Sequence, residues 1–387
     1  MRSAVGLLLL FLAACGSPGS APVHDRAAAP PPASQAPDAP DPSAQTPASQ
    51  PAASCDPAET ARLQTVLDRA HGAKSNAVVA VKTACGTRFF SSGPSKVGAK
   101  TLHRIGSVTK TYTAGVILTL AREGALSIDD KVSRWVAGVP SGDVITLRDL
   151  LRHTSGLFDY TTDTEFFQAA TATRKWMPAE LLAYSTRHAL VFTPGSKHEY
   201  SNTNFVLLGM IAELAGKADI VSLYQSLIFV PNGLKETFLD GAQPHDGFEI
   251  ATGLGNQGDD ETTGADPSWA WTAGAMLATP EDVLRWIELV GSGAFYDPAT
   301  EKQLLTPFPS GQDGMTVGLG IFLYDASITG GGGLAIDHGG YYPPYQTDAA
   351  YFPEKHASIV SILDTDYPTE SMDMLMAAVW PAVFAGP

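Results

Sequence analysis

The chain has 387 residues, 44% of them apolar, with 25 Lys and Arg against 40 Asp and Glu and a formal net charge of −15. That apolar share is enough for a sizeable core, and the acidic balance excludes a nucleic-acid binder, which needs a basic face. Three cysteines exclude a disulfide scaffold and a multi-zinc module, and no apolar run reaches the ~20 residues that span a bilayer.

Arg2 is followed by an apolar run from Val5 to Ala14. A short basic start and an apolar stretch of this length read as a secretory signal over residues 1–14, not as a transmembrane helix. The run ends Leu12-Ala13-Ala14-Cys15. This string resembles the bacterial lipobox, which implies lipidation of Cys15 and a membrane anchor there. Residues 15–54 read as a tether. From Gly16 to Ser54 there are eleven Ala, ten Pro and six Ser among 39 residues, a composition that cannot build a core and stays semi-extended. The expected product is an exported lipoprotein on a membrane, facing the periplasm or the cell exterior, with its folded domain at 55–387. Cys55 and Cys85 lie 30 residues apart. In an oxidising compartment they can pair, pinning the first helix to the first hairpin, or remain two free thiols.

Pro57 to Ala70 is predicted helical, because Leu63, Val66, Leu67 and Ala70 recur at the helical period. Asn76–Lys82 and Gly86–Ser92 read as two strands joined by a turn. Thr109–Glu123 is a long apolar helix stopped by Gly124. Thr146 with Asp149 makes a capping-box start, and Thr279 followed by Pro280 opens a helix through Leu289. Phe205–Leu214 is a further apolar helix. Val317–Tyr324, Gly333–Asp337, Ala349–Phe352 and Ser358–Leu363 read as strands. Met372–Trp380 is a last helix with Pro381 as its stop. Strands cluster at both ends and helices in the middle. The expected fold class is α+β: an antiparallel sheet flanked by helices, with an inserted, mostly helical lobe at roughly 110–290. Sites favour the seam of such lobes.

Ser107-Val108-Thr109-Lys110 opens the first apolar helix. Residues i and i+3 share a helix face, so the Lys110 amine can reach the Ser107 hydroxyl. A serine is a weak nucleophile until a base takes its proton. Lys110 can be that base only if burial lowers its pKa, and the apolar flanks, Ile105 and Val116 to Leu120, predict such burial. Helix N-terminal N–H groups favour a developing anion beside the serine. Tyr200-Ser201-Asn202 follows Pro194-Gly195 at a short distance, and His338-Gly339-Gly340 sits on a late strand after the Gly330–Gly333 turn.

S-x-x-K, then Y-S-N, then H-G-G resembles the motif set of the serine β-lactamase and penicillin-binding-protein superfamily. The tyrosine version of the second motif looks like the class C β-lactamase and D-alanyl-D-alanine carboxypeptidase branch, which includes esterases. Arg104-Ile105-Gly106 and the strings at 126–136, 145–157, 193–195 and 273–286 are also similar to that family, and the likeness covers roughly 57–365. It implies a β-lactamase/transpeptidase-like fold and a serine hydrolase acting through an acyl-enzyme on ester, peptide or D-alanyl amide substrates. The substrate would be a small molecule or a peptidoglycan-derived group at the cell envelope. The likeness assigns Ser107 as nucleophile, Lys110 as its activating partner and Tyr200 as the second acid or base. Asn202, His338, Gly339 and Gly340 would bind or orient the substrate. The backbone N–H groups of Ser107 and Tyr341 would form the oxyanion hole. The alternatives are a β-lactam hydrolase and a catalytically weak peptidoglycan- or partner-binding lipoprotein.

The chain departs from the family pattern twice. His338 replaces a lysine and Gly339 a threonine, which weakens recognition of a substrate carboxylate. Loss of that cation beside Tyr200 also shifts more of the base role to Lys110. Tyr341-Tyr342-Pro343-Pro344-Tyr345 is the second departure, read either as an aromatic wall beside the site or as a loop cover. His103 and His153 are expected to pack rather than catalyse. No H-E-x-x-H or C-x-x-C occurs, so no metal and no cofactor are expected.

Overall fold

The computed structural model describes residues 55–385, apart from 72, 73, 96, 172, 368 and 369. The signal at 1–14, Cys15 and the tether at 15–54 lie outside the described residues.

Eleven strands are described: β1 (Ala77–Thr83), β2 (Gly86–Ser92), β3 (His103–Arg104), β4 (Thr237–Leu239), β5 (Met276–Ala278), β6 (Phe308–Pro309), β7 (Met315–Val317), β8 (Phe322–Tyr324), β9 (Ala335–Tyr342), β10 (Tyr345–Phe352) and β11 (Ala357–Leu363). Eight of them form one sheet in the order β2-β1-β11-β10-β9-β8-β7-β6, and the ladders are antiparallel throughout. The N-terminal hairpin thus pairs with the last strand, Ala77 facing Leu363 and Lys82 facing Ser358. The central strands are buried on both faces. Val78, Ala80, Ile336, Ala349, Val360 and Ile362 point into the core shared with the helical lobe. Ala77, Val79, Ala350, Phe352 and Ile359 point the other way, into a smaller core with Leu63, Leu67, Leu375, Val379 and Trp380. Burial on both sides explains why β1 and β11 read as continuous apolar runs rather than alternating ones.

Local capping fixes the helices that frame this sheet. Asp56 accepts from Ala58 N–H with Pro57 in the first turn of the helix Pro57–Ala70. Thr146 and Asp149 complete both halves of a capping box on Leu147–Leu151, and Thr279 caps Pro280–Gly291. A disulfide joins Cys55, just before the first helix, to Cys85 in the β1–β2 turn.

Two expectations about elements need correction. Val317–Tyr324 is not one strand: Gly318–Gly320 separates β7 from β8, with Gly320 at a left-handed φ of 76° where glycine has no steric cost. The last helix does not stop at Pro381 but runs Met372–Phe384. Burial of Trp380 and Val383 outweighs the lost N–H, and Arg62 donates to the carbonyls of Ala382 and Ala385 at its end. The middle lobe is mostly helical, as expected, and its short strands β4 and β5 form a small sheet with β3 in the order β3-β5-β4. In that sheet β3 leads directly into the turn that holds Ser107.

Candidate active site

Ser107 lies in the single 3-10 turn Gly106–Val108, immediately before the helix Thr109–Arg122. The chain enters through β3, whose His103 is fully buried and paired with Asp364 at 2.7 Å. Gly106 takes a left-handed φ of 51°, and a Cβ there would sit 2.5 Å from the Tyr341 nitrogen. A Cβ on Gly340 would strike the Ile105 carbonyl. Both glycines are therefore required for the Ser107 turn and β9 to touch backbone to backbone. This contact brings together the Ser107 and Tyr341 main chains, the pair of N–H donors expected from the sequence.

Lys110 projects one helical turn beyond Ser107. Its side chain is fully buried, while Ser107 keeps partial exposure. The Nζ lies 2.8 Å from Ser107 Oγ, 2.8 Å from Asn202 Oδ1 and 2.6 Å from the Ala273 carbonyl. Two of these partners can only accept, and only the serine hydroxyl can also donate. A neutral amine here therefore spends its two hydrogens on Asn202 and Ala273 and turns its lone pair to Ser107. Burial favours that form, lowering the Lys110 pKa to about 7 against the partial opposition of Asp159. The rings of Tyr200 and Phe205 lie 4.8 and 5.6 Å from Nζ.

Tyr200 and Asn202 stand at the start of the helix Asn202–Gly216. The Tyr200 hydroxyl is buried and makes no full hydrogen bond, though it is close enough to Ser107 to feel that hydroxyl. Burial pushes its pKa well above the ordinary phenol range, so it is a proton donor at neutral pH. Its ring stacks on His153 with centroids 4.2 Å apart. His153 Nδ1 accepts from the Ser201 amide and the Asn204 side chain, each at 3.2 Å. Burial drives the His153 pKa well down. It packs behind Tyr200, as expected.

His338 is buried on β9, facing Phe322 at 5.1 Å. Its Nδ1 donates to the Gly339 carbonyl at 2.6 Å, so the neutral ring carries its lone pair on Nε2. Burial first, and then the Lys110 charge, lower its pKa to about 3. The third motif therefore presents a neutral acceptor where a lysine would present a cation. The aromatic run 341–345 is the β9–β10 hairpin itself, with Tyr342 opposite Tyr345. Tyr342 and Tyr345 turn inward onto the Arg104 guanidinium at 5.2 and 5.7 Å, and Trp269 Nε1 donates to the Tyr342 hydroxyl at 3.1 Å. Tyr341 stays exposed and donates to Asp366 at 2.9 Å. The run is thus a braced wall of the seam with one tyrosine left at its rim.

Sequence reasoning missed the Ala273 carbonyl and the pair Asp159 and Thr161, which bond Asn202. Ala273 contributes only backbone, which leaves no residue-type signal. Asp159-Tyr160-Thr161 carries the mark of a helix cap, and its approach to Lys110 depends on the packing of distant segments. Among the described residues no group of three or more His, Cys, Asp or Glu side chains could hold a metal ion.

The model of the family described as Beta-lactamase matches residues 62–383. Penicillin-binding protein 4* of Bacillus subtilis (strain 168) is 25% identical over 303 residues, covering 74% of this chain and 66% of that protein; the chain thus spans about two thirds of that relative's length. Two solved structures are similar in fold as well as sequence. A D-stereospecific amidohydrolase from Streptomyces sp. superposes with a TM-score of 0.72 at 26% identity, over 82% of this chain and 98% of that one. The D-amino acid amidase from Ochrobactrum anthropi SV3 also gives 0.72 at 26%, over 82% and 97%.

Proposed function

Because the chain belongs to the beta-lactamase family, we propose that it is a serine hydrolase that cleaves amide, peptide or ester bonds through an acyl-Ser107 intermediate. The observation that carries this reading is the fully buried Lys110 amine, 2.8 Å from the Ser107 hydroxyl and with its pKa lowered to about 7. A lysine in that state is half neutral at physiological pH and matched to general-base work. Neutral Lys110 takes the Ser107 proton as Oγ bonds to the substrate carbonyl carbon. The oxyanion that forms is held by the Ser107 and Tyr341 N–H groups. Removing one such donor typically costs ~10²–10³ in rate. As the carbonyl re-forms, the bond to the leaving nitrogen or oxygen breaks. Tyr200 protonates that atom and recovers its own proton from the Lys110 ammonium. Water then attacks the acyl carbon, its proton passing to Lys110, and the acid leaves as Ser107 regains its hydrogen.

The neutral His338 favours substrates whose leaving side carries no carboxylate. The names of the amidohydrolase and D-amino acid amidase relatives support D-amino acid amides as the first substrates to try. Placement at the cell envelope, through a lipid on Cys15, follows from the sequence likeness alone; the described residues contain no helix long and apolar enough to cross a membrane. Intact-mass measurement after exposure to a fluorophosphonate, a D-amino acid amide and benzylpenicillin tests the reading, with Ser107→Ala alongside. The expected result is a phosphonyl adduct on the wild type only, amide turnover, and slow or no penicillin turnover. Rapid penicillin hydrolysis would establish the β-lactamase alternative. A folded protein inert to every probe would leave only the binding role.

A further inference from the structure

Asp159 belongs to none of the three motifs, yet it is built into their centre. Its Oδ1 accepts from the Thr161 N–H at 3.0 Å and the Thr161 hydroxyl at 2.9 Å. Its Oδ2 accepts from Asn202 Nδ2 at 3.0 Å. The same Nδ2 also donates to Thr161 Oγ at 3.3 Å. Both amide hydrogens of Asn202 are thereby taken on the Asp159 side, which turns Oδ1 to Lys110 at 2.8 Å. A reversed amide would set an NH2 group against the lysine and leave the carboxylate facing an oxygen. Asp159 is thus what decides which way Asn202 points.

The surroundings of Lys110 make the charge of Asp159 matter. The titratable side chains that face the amine are Asp159 from the turn Tyr160–Thr162, Tyr200 ahead of the helix Asn202–Gly216, His153 after Leu147–Leu151, and His338 on β9. Burial keeps the phenol and both imidazoles uncharged. Burial raises the Asp159 pKa above the ordinary carboxylate value, with the hydrogen bonds from Thr161 and Asn202 and the Lys110 charge opposing that rise only in part. The donors from Thr161 and Asn202 occupy both Asp159 oxygens, as a carboxylate requires, and its charge favours the ammonium form of Lys110.

We propose that Asp159 is a positioning residue for the Ser107–Lys110 pair, which fixes the Asn202 amide and sets the pH at which the serine becomes reactive. This rests on the reading of Lys110 as the base. The test is the second-order rate of fluorophosphonate capture by the full chain between pH 5 and 9, for the wild type, Asp159→Asn and Thr161→Val, each checked for folding by circular dichroism. Asparagine deletes the charge and, with its oxygen kept for Asn202, gives up the bond from the Thr161 N–H. Its midpoint should fall by about one pH unit, because the ammonium loses its counter-ion, with a limiting rate at high pH within about threefold of wild type. Thr161→Val keeps the carboxylate but frees one amide hydrogen, so its limiting rate should fall about three- to tenfold with little change in midpoint. An Asp159→Asn midpoint that stays put or rises overturns the proposal, whatever the rate does. If that variant does not fold, an undiminished rate in Thr161→Val overturns it instead. A wild type that is never captured, or captured without a pH limb, contradicts the Lys110 reading itself and is distinguishable from both.

Discussion

The two faces of β9 bury titratable groups one residue apart and use them in opposite ways. His338 looks into the seam with the helical lobe, whereas Asp337 looks toward the C-terminal helix, alongside Asp348 of β10. Lys110, on the His338 side, loses its water but gains two fixed acceptors, Asn202 and Ala273, and one partly exposed hydroxyl, Ser107, to act on. Asp337 and Asp348 lose their water and gain chiefly each other, with one oxygen of each left unpartnered. Burial raises both carboxyl pKa values, and the Asp348 charge raises that of Asp337 further. Two carboxylates buried beside each other repel, so the pair favours its protonated forms. Perturbed ionisation by itself therefore does not mark an active site. What separates the faces is a reactive atom within reach of the perturbed group and of solvent.

Mutating one face at a time sharpens the contrast. The largest effect is expected at Lys110→Ala, which removes the base and should slow acylation of Ser107 by about 10³-fold or more, with the fold intact by circular dichroism. Tyr200→Phe keeps the ring stacked on His153 and deletes only the proton donor. It should lose about 10²-fold on amides and less on activated esters, whose leaving groups need no protonation. On the other face, Asp348→Asn should leave turnover unchanged and alter only stability. The sign follows from linkage. The folded pKa of Asp348 is raised from 3.8, so its contribution is fully present below about pH 4 and is lost as pH rises through neutrality. The variant escapes that loss. Its melting temperature should exceed wild type by about 2–4 °C at pH 8 and match it near pH 4. A loss of activity with no pH-dependent gain would tie the two faces together and break the comparison.

Features written in neighbouring residues were legible in the sequence. The hairpin Ala77–Ser92, the capping box at Thr146 and the serine–lysine spacing all depend on contacts a few residues apart. What was missed depends on the assembled chain. Asp159 meets Asn202 across 43 residues of sequence, Ala273 reaches Lys110 through a carbonyl, and Asp337 finds Asp348 only when β9 and β10 pair. Pro381 misled because its local rule is strong, yet burial of Trp380 and Val383 is stronger. Gly320 misled because a turn between two short strands leaves an apolar string that looks continuous. Gly106 and Gly340 are intermediate cases: both sit in recognised motifs, but the reason for glycine appears only where β9 touches the Ser107 turn.

The central claim is that burial leaves about half of the Lys110 amine uncharged, and so able to act as a base, at neutral pH. The direct measurement is an NMR titration of the lysine side-chain carbons next to Nζ in the full chain, with Lys110→Arg used to assign the signal. The account predicts one lysine titrating near pH 7, more than three units below the usual value for an exposed amine (about 10.4). A Lys110 signal that stays charged through pH 9 would contradict it.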